Sequence, residues 1–60
     1  MITDLQEWLE HYNYNGNTVD MKGEHGNTAL MRAAIEGNLV IAKTLLHLGA
    51  DVKLTNDDGN

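Results

Sequence analysis

The chain of 60 residues has no cysteine and only four cationic side chains. Without cysteine it can form neither a disulfide framework nor a thiolate metal site. The cations are spread along the sequence at Lys22, Arg32, Lys43 and Lys53, whereas nine acidic residues give a net charge of −5. Because a surface of this charge repels phosphate backbones, we expect no nucleic-acid partner.

Long hydrophobic runs are also lacking, since no apolar run approaches the ~20 residues that cross a membrane. The segment Met1–Asp4 has no basic stretch before an apolar one, so no secretory signal is visible. We therefore expect a cytoplasmic protein without membrane contact. At 60 residues the chain can form one domain at most, and a marginal one.

A pair of short helices is the main structural signal of the chain. Thr28 can cap the first helix by accepting a hydrogen bond from a free backbone amide. The apolar stripe of this helix follows the i, i+3, i+4 spacing at Leu30, Ala33 and Ala34. Gly37 then provides the left-handed conformation that ends a helix at little cost.

The second helix follows at once, because Asn38 can cap it directly after the glycine. Its apolar stripe and the glycine that ends it are Ile41, Ala42, Leu45, Leu46 and Gly49. A link this short forces the two helices to lie antiparallel and in contact. We expect Leu30 and Ala34 of the first helix to face the isoleucine and leucines of the second.

Another helix is predicted near the N-terminus, from a capping box formed by Thr3 and Gln6 to about Tyr12. Its apolar stripe has i, i+3, i+4, i+7 spacing and consists of Leu5, Trp8, Leu9 and Tyr12. Trp8 and Tyr12 suit two roles, a ligand-stacking pair or core residues that cover the following helix pair. The core interpretation is the one we favour.

A turn over Asn13–Asn17 is predicted to follow, because Asn15-Gly16 is a strong turn signal. Residues 18–25 then look like an earlier copy of residues 51–58, since each segment carries a valine seven residues before a glycine. Residues 1–22 are therefore expected to form an N-terminal half-repeat, or cap, whose polar outer face favours solubility.

The helix pair and its flanking loops resemble the ankyrin repeat, whose central pattern is T-P-L-H-x-A. The similar segments are GNTALMRAA at 26–34, Gly37-Asn38, Leu45-Leu46 and GADV at 49–52. Gly59 follows Gly26 by 33 residues, the repeat length of this family. Ala29 stands where the family usually has proline. Met31 replaces the usual histidine, so the hydrogen bonds that this histidine makes between turns cannot form.

This resemblance implies an all-α fold of antiparallel helix pairs with extended β-turn loops, as in a fragment of a solenoid. The implied divisions are a cap at residues 1–22, a repeat at residues 23–55 and the start of a further repeat at residues 56–60. It also implies a non-catalytic scaffold for protein–protein interaction that needs no cofactor.

The resemblance further implies partner contacts through the turn tips and the inner face of the first helix of each pair. The corresponding positions here are Glu24, His25, Asn27, Asp57, Asp58 and Asn60 at the tips, and Ile35 and Glu36 on the inner face. Ile35 lies off the buried stripe, which suits either an anchor for a partner or burial against a neighbouring repeat. The flanking acidic residues favour a basic partner.

Only one full helix pair is present, whereas about three repeats are normally needed for stability. We expect the far side of the pair to expose a strip at Ala33, Ile41, Thr44 and Leu48, suited to association. Two alternatives stay open, a piece of a longer array and a chain that pairs with itself through this end. The isolated chain is predicted not to be a stable monomer.

Three other kinds of site match the sequence more weakly. His11, His25 and His47 lack the i, i+4 spacing of a helical zinc site, and residues 56–60 lack the spacing of a calcium loop. We therefore expect no metal ion. The helix pair has the form of a DNA-binding helix-turn-helix, but its second helix carries Lys43 as its only cation.

Overall fold

The computed structural model describes residues 1–14 and 19–59, and in this part of the chain the architecture is helical. The helices are α1 (Leu5–His11), α2 (Ala29–Glu36) and α3 (Leu39–His47), with a short 3-10 turn at Glu24–Gly26 between α1 and α2. An isolated antiparallel bridge pairs Lys22 with Thr28. The predicted all-α fold with extended loops is confirmed. The predicted turn at Asn15-Gly16 lies outside the described residues.

The first helix begins at Leu5 because Asp4 caps it, its carboxylate accepting a hydrogen bond from the Glu7 N–H at 2.9 Å. The predicted capping box at Thr3 and Gln6 is therefore wrong by one residue. Aspartate caps as well as threonine does, and the Gln6 amide donates to Glu10 one turn later instead of reaching back to the cap.

The α2–α3 hairpin forms as the sequence predicts. Thr28 caps α2 by accepting from the Met31 N–H at 3.3 Å, and Asn38 caps α3 by accepting from the Ile41 N–H at 3.2 Å. Gly37 lies between the helices with a φ of 75°. This left-handed conformation strains residues with a Cβ atom, so glycine makes the reversal possible within two residues.

One compact cluster forms the core. Its buried members are Trp8, Tyr14, Ala29, Ala33, Ile41 and Leu45. Trp8 is fully buried and its ring stacks parallel to that of Tyr14 with centroids 5.8 Å apart. The core interpretation of Trp8 is therefore confirmed, and α1 covers one side of the hairpin.

The predicted facing stripe of the hairpin is partly wrong. Ala34 is exposed and Leu46 is 46% exposed, whereas Ala29 and Ala33 fill the interior of α2. Ala29 and Ala33 are spaced i, i+4, so they lie on one face of α2. This face is on the side of the hairpin that α1 covers. The predicted stripe also includes Ala34 and Leu46, which lie on the opposite side and are exposed.

The predicted association strip on the far side of the hairpin is also corrected. Ala33 and Ile41 have no exposed surface, because Trp8 and the other core residues cover them. The apolar residues that α3 exposes are Leu39, Val40 and Leu46, together with Leu48 at its end. Any association surface on this helix is therefore formed by these side chains.

The two loops that were predicted to be copies of one another lie side by side. The Asp51 N–H donates to the Asp20 carboxylate at 2.8 Å, and the Asp57 N–H donates to the His25 carbonyl at 3.0 Å. These bonds place the turn at 56–59 directly against the turn at 24–26, so that the tips of successive loops form one edge of the molecule.

Candidate functional site

The first turn tip presents Glu24 and His25 to solvent. The Glu24 carboxylate lies 3.3 Å from His25 Nε2, and both side chains are largely exposed. An exposed pair of this kind contributes little to stability because water screens it. Both residues are therefore free to exchange this contact for one with another molecule.

The second tip is the turn at 56–59, and it approaches the first tip closely at Gly26. Gly26 has a φ of 73°. A Cβ atom added there would lie 3.0 Å from the Asp57 backbone nitrogen, and nearer still to its carboxylate. Glycine is required for this approach on both steric and conformational grounds. Asp57 and Asp58 are exposed beside it. We call Glu24, His25, Asp57 and Asp58 the tip surface.

Asn27, predicted to contact a partner, instead joins the two loops from within. Its side chain is only 6% exposed, and its Oδ1 accepts a hydrogen bond from the Asn56 amide at 2.8 Å. Its carbonyl accepts from the Gly23 N–H at 2.8 Å and the Tyr14 hydroxyl at 2.9 Å. Asn27 therefore positions the tips from the interior. Asn60 lies outside the described residues.

The two residues predicted on the inner face of α2 have different environments. Ile35 is 66% exposed, with no cover from the rest of the described chain. Glu36 is half-buried, and its carboxylate accepts hydrogen bonds from the Trp8 indole N–H and the Tyr12 hydroxyl, both at 2.5 Å. Ile35 is available for contact, whereas Glu36 is engaged within the fold.

The Glu36 carboxylate joins α1 and the residue that follows it to α2. Its hydrogen bonds, first that from Tyr12 and then that from Trp8, lower its pKa below the ordinary glutamate value. The same bond raises the pKa of Tyr12, because the hydroxyl proton is held by the carboxylate. Asn38 adds a second attachment, since its amide donates to the Ile2 carbonyl at 2.6 Å.

A cleft beside the end of α1 contains a cation that the sequence did not single out. The guanidinium carbon of Arg32 lies 4.7 Å from the centre of the Tyr12 ring. The cleft has a volume of about 240 Å³. Its lining residues are His11, Tyr12, Asn13, Tyr14, Glu24 and Arg32. Arg32 and Glu36 are spaced i, i+4, so the sequence indicates that they share one face of α2. The structure places this face beside the aromatic residues at the end of α1.

A metal site would need several of the remaining titratable residues to converge on one point. Within residues 1–14 and 19–59, no group of three histidine, cysteine or carboxylate side chains is placed to hold a metal ion. The histidines lie on separate elements, at the end of α1, on the first tip and at the end of α3. None of the helices in the described residues is long and apolar enough to cross a membrane.

Comparison with known proteins identifies relatives over most of the chain. The family model of the ankyrin repeat matches residues 25–57. The Notch-regulated ankyrin repeat-containing protein of Homo sapiens is 39% identical over 56 residues, which cover 93% of this chain and 49% of that protein. The Xenopus laevis protein of the same name is 46% identical over the same extent.

A further relative is the Notch-regulated ankyrin repeat-containing protein B of Danio rerio, 46% identical over 93% of this chain and 50% of that protein. The chain thus spans about half the length of the curated relatives it matches. No solved structure gives a significant match.

Proposed function

Because the chain belongs to the ankyrin repeat family, we propose that it is a non-catalytic interaction module that binds a partner protein through its tip surface and Ile35. In this proposal residues 1–22 are the cap, residues 23–55 are the repeat, and residues 56–60 begin a further repeat. Asn27 and Glu36 position these surfaces from within, and Asn60 is a further proposed partner contact.

The observation that carries the proposal is the docking of the two tips. The 3.0 Å hydrogen bond from the Asp57 N–H to the His25 carbonyl holds the second tip against the first. Glu24, Asp57 and Asp58 are exposed along this edge. A row of exposed carboxylates held by the backbone attracts a basic partner and speeds its approach, more strongly at low salt.

Ile35 supplies the apolar part of the proposed interface. It is two-thirds exposed on α2, so a partner that covers it removes apolar surface from water. Full burial of such a side chain contributes roughly 1.5–3 kcal/mol, which corresponds to about tenfold or more in affinity.

The proposal is tested by placing a photo-cross-linking amino acid at Ile35 in the full chain and identifying the protein captured in cells. The same cross-linker at Lys43, exposed on α3, is the control. With the captured protein purified, Ile35→Asp should weaken binding about tenfold or more, while Lys43→Gln should not. Circular dichroism should show unchanged helix content in both variants.

Two outcomes would overturn this interface. Unchanged affinity in Ile35→Asp would remove Ile35 from it, and loss of helix would make Ile35 a core residue. For the tip surface, Glu24→Gln with Asp57→Asn should slow association and reduce its dependence on salt. If the variant associates at the parent rate and with the parent salt dependence, these carboxylates are not part of the interface.

A second function, self-association, is favoured by the apolar side chains that α3 leaves exposed. Leu39 and Leu46 are spaced i, i+7 on one side of the helix, and both are about half exposed or more. Repeats of this kind bury such faces against a neighbour. A second copy of the chain that meets this face would form a dimer, and the concentration dependence of the mass distinguishes this function from the first.

A further inference from the structure

The cleft beside the end of α1 differs from the tip surface in both shape and charge. It is a recess of about 240 Å³, smaller than the roughly 300–1,000 Å³ of most small-molecule sites. A recess of this size suits one side chain of another protein. Asn13, with a φ of 63°, turns the chain at its wall and sends Tyr14 back into the core.

Arg32 has an unsatisfied donor in this cleft, although its guanidinium also interacts with Tyr12 and Glu36. Its Nε is buried and has no hydrogen-bond partner among the described residues. No carboxylate in the described ranges lies within 4.0 Å of its guanidinium; the ion pair that does form is that of Glu24 with His25. A buried donor without a partner is unfavourable, and an acceptor brought from outside would relieve it.

The chemistry of the walls selects the kind of acceptor. A guanidinium presents N–H donors in a planar fork that matches the two oxygens of a carboxylate. The Tyr12 ring stacks on Arg32, and the His11 ring meets Tyr12 edge-on with centroids 4.7 Å apart. These ring surfaces suit the methylene groups of an acidic side chain. Glu24 in the wall and the net charge of −5 oppose a doubly charged phosphate.

We infer that this cleft receives one aspartate or glutamate side chain of the partner, held by the Arg32 guanidinium. The inference rests on the proposed function for the source of this side chain. A partner with a basic surface against the tips and one acidic residue in the cleft can dock in only one orientation, because reversed placement puts like charges together.

The test titrates the ¹⁵N-labelled full chain with N-acetyl-glutamic acid N-methylamide and follows the Arg32 Nε–H and the backbone amides by NMR. Saturable shifts are expected at Arg32 and along 11–14. The neutral glutamine derivative and inorganic phosphate should bind at least about tenfold more weakly. A flat titration, or phosphate binding as tightly as the glutamate derivative, would overturn the inference.

Variants locate the binding group. Arg32→Gln should lose saturable binding, and Arg32→Lys should weaken it because a point charge replaces the planar fork. Lys43→Gln removes the same charge on α3 and should bind like the parent. Equal loss in Lys43→Gln would assign the effect to net charge and refute the cleft. If Arg32→Gln does not fold, the inference is tested by comparing the titration of Arg32→Lys with that of the parent.

This titration needs no partner protein, so its result is independent of the cross-linking at Ile35. Failure of the titration removes the carboxylate cleft and leaves the tip surface intact. Failure of the cross-linking and of the tip variants removes the proposed interface, while the cleft can still bind the glutamate derivative.

Discussion

At the scale of single residues, Glu36 determines how α1 is attached to α2. A tryptophan whose ring is buried needs a partner for its indole N–H, and the Glu36 carboxylate supplies it while also accepting from the Tyr12 hydroxyl. One carboxylate thus satisfies two aromatic donors from α1. Loss of its charge weakens both bonds together, because an ionised acceptor binds donors more strongly than a neutral one does.

This arrangement predicts a dependence of stability on pH. The pKa of Glu36 is lowered in the folded chain from the ordinary value of 4.5. Its contribution is therefore complete above pH 4.5 and is lost as the pH falls through the lowered folded-state pKa. Tyr12, with its pKa raised from 10.0, stabilises the fold below pH 10 and loses that contribution as the pH rises through the raised value.

The measurement compares urea unfolding of the parent and Glu36→Gln by Trp8 fluorescence across this range. The parent should be more stable at neutral pH, and the difference should shrink on acidification. Asp58→Asn, which removes an exposed carboxylate, controls for a general effect of charge. A difference between parent and Glu36→Gln that does not change with pH would contradict this role.

At the scale of the elements, the α2–α3 hairpin depends on the reversal at Gly37. A Cβ atom added there would meet nothing within 4 Å, so the space around the residue tolerates a side chain. The φ of 75° is the constraint. The free-energy cost of substituting Gly37 therefore comes from the backbone conformation, and no steric clash contributes to it.

Gly37→Ala should destabilise the chain by about 1–2 kcal/mol, the cost of left-handed backbone for a residue with a Cβ atom. Gly37→Asn should cost less, because asparagine adopts this conformation more readily. Chemical denaturation of both variants beside the parent measures the two effects. Equal stability of the parent and Gly37→Ala would show that the reversal can form with ordinary backbone angles.

At the scale of the whole molecule, the residues that the structure describes cover one side of the helix pair and leave apolar side chains of the other side exposed. Trp8 and Tyr14 pack in one core cluster with Ala33, Ile41 and Leu45, while apolar side chains of α3 on the other side are exposed. A domain of 60 residues has a small margin of stability. If another molecule covered this face, the gain in stability would therefore be a large fraction of the chain's total free energy of unfolding.

The mass of the isolated chain should accordingly rise with concentration in analytical ultracentrifugation, and its melting temperature should rise with it. Replacing Leu39 and Leu46 together by glutamine should abolish this association, whereas Val52→Gln, an exposed apolar position in the following loop, should not. A sharp two-state melt with a monomeric mass at micromolar concentration would refute the prediction.

The sequence alone determined the local structure of the repeat, because these signals act within one or two turns. Thr28, Gly37 and Asn38 set the ends of the two helices through caps and one left-handed residue. The 33-residue spacing of the glycines indicated the family. The exposed tip residues also followed from the pattern, since Glu24 and Asp57 occupy polar turns outside any apolar stripe.

Tertiary structure decided which side of each helix is buried and which polar groups are used internally. Ala34 and Leu46 have the right spacing for a core, but α1 covers the opposite side of the pair. Asn27 and Glu36 resemble surface residues in sequence, yet partners 29 and 28 residues away engage them. Periodicity specifies a helical face but not the neighbour that packs on it, because that neighbour comes from a distant segment.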